Sequence, residues 1–75
     1  MSNQPVAKFK DRGLEVSIWE NSNDQDKWYS VNMERSYKDD ADKWQKTTSL
    51  NKSDIPRAMA LYQLAYAKIH ELESE

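Results

Sequence analysis

Apolar and polar residues alternate with a period of two along the first two thirds of the chain, as expected for strands with one buried face. The alternation predicts a half-buried strand over 6–10 and a clearer one over 14–20. It continues over 28–37 as a long third strand. A fourth segment over 44–50 is rich in threonine and lysine, which suits an edge strand. The pattern therefore predicts four strands in succession.

Polar segments separate these strands and supply the turns. Asp11-Arg12-Gly13 predicts a tight turn in which Gly13, the only glycine of the chain, takes a positive φ. Residues 21–26 contain no apolar side chain and predict a loop, and the acidic segment 38–43 predicts a second turn. Short polar connections of this kind favour antiparallel neighbours.

A single helix is predicted from Ser53, as its N-cap, to about Leu72. At about 100° per residue its apolar side chains form two stripes, whereas one face of a sheet covers only about one stripe. We therefore expect the other stripe to meet a second copy of the chain. The first stripe contains Ile55, Met59, Tyr62, Tyr66 and Ile69, and the second, the predicted homodimer interface, contains Leu61, Leu64, Ala65 and Leu72.

These elements predict an α+β fold of order β-β-β-β-α, with a four-stranded antiparallel sheet and one C-terminal helix packed on one of its faces. We expect a single domain over 6–75, preceded by a flexible lead over 1–5. A chain of 75 residues buries a small core, and the common supports for such domains are disulfides, metals or partner chains.

The composition limits the chemistry that this domain can perform. The chain has no cysteine and one histidine, His70, which excludes disulfides and the usual zinc sites. His70 has no nucleophile or orienting residue in a recognisable motif, so we expect no catalytic residue, cofactor or metal. The polar N-terminus lacks the apolar stretch of a signal peptide, and no run is long enough to span a membrane, so we expect a cytoplasmic protein.

The net charge of −2 is unevenly distributed. Residues 1–60 carry ten Lys/Arg and ten Asp/Glu, and the last fifteen carry one lysine and three glutamates. Five of the first ten acids fall in the two predicted polar turns. The predicted strands are therefore richer in cations than the total charge indicates, although an ordinary surface of mixed charge has the same composition.

Aromatic and basic side chains occur together on the predicted strands. Strand parity places Lys8, Lys10 and Trp19 on the sheet face that the helix leaves uncovered. Cations that bind phosphates and aromatic rings that stack on bases are the means by which proteins hold single strands without reading their sequence. We therefore predict a site for single-stranded DNA, or RNA, on this face. The alternative prediction is a protein-interaction or structural module that uses the same face.

Two resemblances extend this reading. Several short runs resemble a family of short bacterial and phage-associated proteins that has no firm function: Lys8–Lys10, Ile18–Asn21, Trp28–Val31, Arg35–Asp39, Trp44 and Thr47–Ser49. The order of four strands and one helix, above all from Tyr29 to Tyr62, is similar to the DNA-binding domain of the transcriptional coactivator positive cofactor four and to its whirly relatives.

Members of that second family are homodimers that bind single-stranded DNA across curved sheets, and the resemblance implies the same here. A bulge in the third strand, or a curled fourth strand, would then add four residues to the binding face. The chain departs from the family pattern because Glu15 and Glu34 lie on the face that would meet DNA. The added residues are Arg35, Tyr37, Lys38 and Lys46, with Tyr37 stacking on bases beside Trp19.

Overall fold

The computed structural model describes residues 4–74 and contains the predicted elements in the predicted order. The elements are β1 (Ala7–Asp11), β2 (Leu14–Ser22), β3 (Lys27–Lys38), β4 (Trp44–Thr47) and α1 (Ile55–Glu73), with a short 3₁₀ turn at Lys52–Asp54 before α1. The α+β fold class is confirmed. Residues 1–3 of the predicted lead, and Glu75, lie outside the described residues.

The four strands form one antiparallel sheet in the order β1-β2-β3-β4. The register is one to one along each pair of strands, from Leu14 opposite Arg35 to Ser22 opposite Lys27 in the central pair. β3 therefore has no bulge. β4 ends at Thr47, three residues before the predicted end of the fourth strand.

The core lies between α1 and the β1–β2 side of the sheet. Leu14, Val16 and Ile18 of β2 are fully buried, and α1 contributes Leu61 and Ala65. The alternation of β2 accounts for the first three, because every second residue of the strand points toward the helix. The remaining buried apolar residues are Met33 of β3 and Ala58 of α1.

The helix buries most of the predicted interface stripe and exposes most of the other, except that Ile69 of the first stripe packs against the core. Leu61 and Ala65, predicted at a homodimer interface, are 3% and 2% exposed because they pack on the sheet of their own chain. Leu72 is half-buried, and Leu64 is 50% exposed. The solvent-facing stripe is instead the one that includes Ile55, Met59, Tyr62 and Tyr66, and we call these four residues the exposed stripe.

The start of the helix is organised by Asp54 rather than by the predicted N-cap, Ser53. The Asp54 carboxylate accepts a hydrogen bond from the backbone N–H of Asn51 (2.9 Å) and one from the guanidinium of Arg57 (2.6 Å). Arg35 lies 3.6 Å from the same carboxylate. The backbone hydrogen bond, and after it Arg57, hold the pKa of Asp54 below its ordinary value of 3.8 although burial acts in the opposite sense. Asp54 thus joins β3 to the beginning of α1.

The tight turn between β1 and β2 differs from its prediction in one detail. The residue with a positive φ is Arg12, at 59°, and Gly13 has no positive φ. Type I′ turns need a positive φ at both central residues, so this turn is not of type I′. Glycine is favoured at position 13 for a different reason, since a Cβ atom there would lie at the tight distance of 3.2 Å from the backbone oxygen of Ser36. The two residues are already close because the N–H of Ser36 donates to the carbonyl oxygen of Gly13 at 2.8 Å.

Gly13→Val is expected to lower the free energy of unfolding by more than about 1 kcal/mol, because the branched side chain would press on the β3 backbone at Ser36. Gly13→Ala adds only the Cβ atom and should destabilise the protein less. Thermal unfolding followed by circular dichroism measures both changes. Equal melting temperatures for the wild type and the valine variant would show that the turn has room for a side chain.

Among the residues that the structure describes, no helix is both long enough and apolar enough to cross a membrane.

Candidate nucleic-acid interface

The register sorts the strand residues onto two faces, because directly opposite residues of antiparallel strands share a face. One face packs against α1, and the other, which we call the outer face, is left uncovered by the helix. The outer face consists of Lys8 and Lys10 of β1, Glu15, Ser17, Trp19 and Asn21 of β2, Trp28, Ser30, Asn32, Glu34, Ser36 and Lys38 of β3, and Trp44 and Lys46 of β4.

All three tryptophans of the chain lie on the outer face. Trp19 and Trp28 are diagonal neighbours on β2 and β3, since Trp19 is opposite Ser30 and Trp28 is opposite Asn21. Trp44 lies toward the other end of the sheet, opposite Lys38. Trp28 is 48% exposed and Trp44 is 68% exposed. The outer face therefore offers indole rings near both of its ends.

Side-chain hydrogen bonds fix the first of these aromatic positions. The indole N–H of Trp19 donates to Oδ1 of Asn32 at 3.0 Å. Beside it, the amide of Asn21 donates to the hydroxyl of Ser30 at 3.0 Å. Trp19 is half-buried, and its indole N–H already has a hydrogen-bond partner. A ring fixed in this way needs less ordering before it stacks on a ligand.

The charges of the outer face differ in sign from the charge of the whole chain. Four lysines and two glutamates give it a net charge of +2, whereas the chain carries −2. Both glutamates are paired: Lys10 lies 3.3 Å from Glu15, and Lys46 lies 4.0 Å from Glu34. Lys8 forms no ion pair with any of the described residues. The outer face is thus a cationic surface on an acidic protein.

The predicted site residues divide between the two faces. Lys8, Lys10, Trp19, Lys38 and Lys46 lie on the outer face. On that face Lys38 contacts the ring of Trp44, with its ammonium nitrogen 5.4 Å from the ring centre, and forms an ion pair of 3.5 Å with Asp42.

Arg35 and Tyr37 lie on the helix side, so their assignment to the binding face is wrong. The predicted bulge that would have moved them outward is absent, because Arg35 is opposite Leu14 and Thr47 in an unbroken register. The inward position of Arg35 is stabilised by a charged and a polar partner. Arg35 pairs with Asp54 and donates to the carbonyl oxygen of Ser49 at 3.0 Å. Its guanidinium carbon also lies 5.5 Å from the centre of the Tyr37 ring.

Three further residues belong to the candidate interface but were not among the predicted site residues. Trp28 shares the parity of Ser30 and Asn32, so the alternation of β3 alone would have placed it on the outer face. Trp44 is placed there by the pairing of β3 with β4. Arg12 lies in the β1–β2 turn, exposed, with no hydrogen bond or ion pair to the other described residues.

The acidic turn between β3 and β4 is built around Asp39, whose carboxylate accepts hydrogen bonds from within the turn. The donors are the backbone N–H groups of Ala41 (2.9 Å) and Lys43 (3.0 Å) and the side chain of Gln45 (3.0 Å). The bond from Lys43, and then that from Gln45, hold the pKa of Asp39 below its ordinary value of 3.8. This acid therefore serves the hairpin that positions Trp44.

Comparison of the chain with family models, with curated proteins and with solved structures yields no match.

Proposed function

We propose that the protein is a non-catalytic module that binds single-stranded nucleic acid, DNA in the first place, across its outer face. The observation that supports this function best is the position of all three tryptophans, with four lysines, on the one sheet face that α1 does not cover. Indole rings stack on bases of any identity, and lysines neutralise phosphates. Such a face binds a strand with little base preference.

The two glutamates set the strength of binding. Glu15 and Glu34 are directly opposite each other at the centre of the outer face, and like charges in this position repel. Their pairing with Lys10 and Lys46 occupies half of the lysines of the face. A strand must compete for these lysines, so we expect affinities in the micromolar range at physiological salt, about −8 kcal/mol.

The exposed stripe supports a second proposal, that two copies of the chain associate. Its four large side chains are between 44% and 67% exposed, and they follow one line along α1 without a charged residue among them. Tyrosine and methionine are enriched in protein interfaces, and a two-fold axis brings the same stripe of both copies together. A dimer holds two outer faces in one particle and thus increases the apparent affinity for long strands.

The functional proposal predicts that oligo-dT quenches tryptophan fluorescence and that the affinity falls steeply with salt. Trp28→Ala, which removes an exposed ring, should weaken binding about 5- to 100-fold without unfolding the protein. Lys8→Gln should reduce the slope of log K against log salt by about 0.7, since one phosphate contact is lost. Fluorescence titrations between low and physiological salt measure both effects.

Two matched variants test the electrostatic part of this prediction. Glu34→Gln should tighten binding because it releases Lys46, whereas Lys52→Gln removes one positive charge, as Lys8→Gln does, but in the 3₁₀ turn before the helix and outside the sheet, and should have no effect. If the wild type gives neither fluorescence change nor gel shift with oligo-dT at low salt, the nucleic-acid proposal is wrong. The aromatic face would then be assigned to a protein partner, whose binding would depend little on salt.

A further inference from the structure

A groove lies at the Trp44 end of the sheet, between the β1–β2 turn and β4. It has a volume of about 620 Å³ and is lined by Arg12, Gly13, Ser36, Trp44, Gln45 and Lys46. A smaller depression of about 150 Å³ shares four of these residues and extends toward the Lys10–Glu15 ion pair. The groove is therefore bordered by two cations and an indole ring, with the small residues Gly13 and Ser36 between them.

Arg12 places a guanidinium at this groove, and its backbone has a positive φ. Its φ of 59° is a conformation that residues with a Cβ atom adopt at a cost in free energy, and one that favours glycine. The guanidinium makes no hydrogen bond and no ion pair with the other described residues, so the closing of the β1–β2 hairpin, and no contact of the side chain, offsets that cost. Arg12 thus has five free donors facing solvent at the rim of the groove.

Trp44 and Lys46 form the opposite side of the groove. They are two residues apart on β4 and so point to the same face. The indole of Trp44 is 68% exposed, and Lys38 lies against it at 5.4 Å. Within residues 4–74, Lys46 pairs with Glu34 alone, at the long distance of 4.0 Å, so an anion of higher charge density competes well for it. Arg12 therefore lies on one side of the groove, Trp44 and Lys46 lie on the other, and Gly13 and Ser36 lie between them.

We infer that this groove is a nucleotide subsite, in which one phosphate of the strand lies between Arg12 and Lys46 and the adjoining base stacks on Trp44. The inference rests on the proposed function and adds to it the place where one nucleotide is held. The guanidinium of Arg12 donates two parallel hydrogen bonds to the phosphate, and the ammonium group of Lys46 acts as a point charge. The base needs no specific hydrogen bond, which agrees with binding without base preference.

The first test separates binding from stability by means of two changes at the turn. Arg12→Gly removes the cation and relieves the strained φ, so it should reduce the affinity for a dT12 oligonucleotide and lower the salt slope by about 0.7 while the melting temperature stays equal or rises. Arg12→Lys keeps the charge and should restore the salt slope, although it lacks the planar fork. A purely structural arginine would give the opposite result, with lower stability and unchanged binding.

The second test assigns the base to Trp44. In the variant Trp19→Phe/Trp28→Phe, Trp44 is the only indole, and its fluorescence should be quenched by dT12 and, at higher concentration, by dTMP more than by thymidine. Trp44→Ala should weaken dT12 binding about 5- to 100-fold, and Trp44→Phe should recover most of it.

The outcomes distinguish this inference from the proposed function. If dT12 binds the wild type and Trp28→Ala weakens that binding, but Arg12→Gly and Trp44→Ala bind as the wild type does, the subsite is wrong and the proposed function stands. If the wild type does not bind dT12 at low salt, the proposed function fails and the subsite fails with it.

Discussion

Leu61→Ala is expected to lower the free energy of unfolding by about 2–5 kcal/mol. Leu61 is 3% exposed and belongs to the cluster that joins α1 to Leu14, Val16 and Ile18 of β2. Truncation removes buried apolar surface and leaves a cavity that a small, sheet-backed core cannot fill. In a domain of this size the melting temperature should fall by at least about 10 °C. Chemical denaturation measures the free energy, and a thermal scan measures the melting temperature.

Leu64→Ala is the matched control, because it makes the same chemical change three residues further along the same helix. Leu64 is 50% exposed, on the β1 side of the helix, where it lines a shallow groove of about 540 Å³ with Val6 and Phe9. Its truncation should change stability by no more than about 0.5 kcal/mol. Equal destabilisation by the two variants, or a larger loss for Leu64→Ala, would contradict the orientation of the helix.

The helix shows why periodicity alone does not fix an orientation. The helix has two apolar stripes about 100° apart, and either of them could pack on a sheet. In the sequence, the two stripes differ mainly in the size of their side chains. The structure instead buries the smaller residues: Ala58 and Ala65, with Leu61 between them, let the helix approach β1 and β2 closely. The larger side chains, such as Tyr62 and Tyr66, are left outside. Helix-to-sheet distance is a tertiary quantity, and so the prediction chose the wrong stripe.

The strands were more predictable than the helix because the alternation of apolar and polar residues indicates both where a strand lies and which of its side chains are buried. β1 to β3 lie within two residues of their predicted bounds, and the face of Trp19 follows directly from the burial of Val16 and Ile18. The conformation of the β1–β2 turn was not predictable in the same way. A lone glycine suggests a positive φ, but Gly13 instead lies close to the backbone of β3, where a side chain would be crowded. That contact exists only in the assembled sheet.

In the candidate interface, too, some residues could be predicted from the pattern of their own strand and others only from the assembled structure. Trp28 could have been assigned from the parity of its own strand, whereas Trp44 required the pairing of β3 with β4. Arg12 required the backbone of the turn. Arg35 shows the reverse case: its strand parity alone places it on the helix side, and the bulge that would have moved it to the binding face is absent. Asp54, 19 residues further along the chain, supplies a partner there that no local pattern reveals.

Met59→Glu combined with Tyr66→Glu is expected to convert a dimer into monomers that remain folded. The wild type at tens of micromolar should scatter light as a particle of twice the 8.8 kDa chain mass, and the double variant as a single chain. The reason is that both residues lie on the exposed stripe, at 61% and 67% exposure, so the new charges are solvated in the monomer but buried beside their symmetry copies in a dimer. Unfolding curves of the double variant check that the fold survives.

Leu64→Glu provides the control for this last prediction, because Leu64 is also exposed, at 50%, but lies on the other flank of α1, about 160° around the helix from Tyr66. It should leave the particle mass unchanged if the exposed stripe forms the interface. A monomeric mass for Leu64→Glu and a dimeric mass for the double variant would transfer the interface to the β1 side of the helix. A monomeric wild type at tens of micromolar would show that the stripe is not a contact between two copies. No increase in apparent affinity for long strands would then be expected from dimerisation, while the binding of short oligonucleotides to a single outer face would be unaffected.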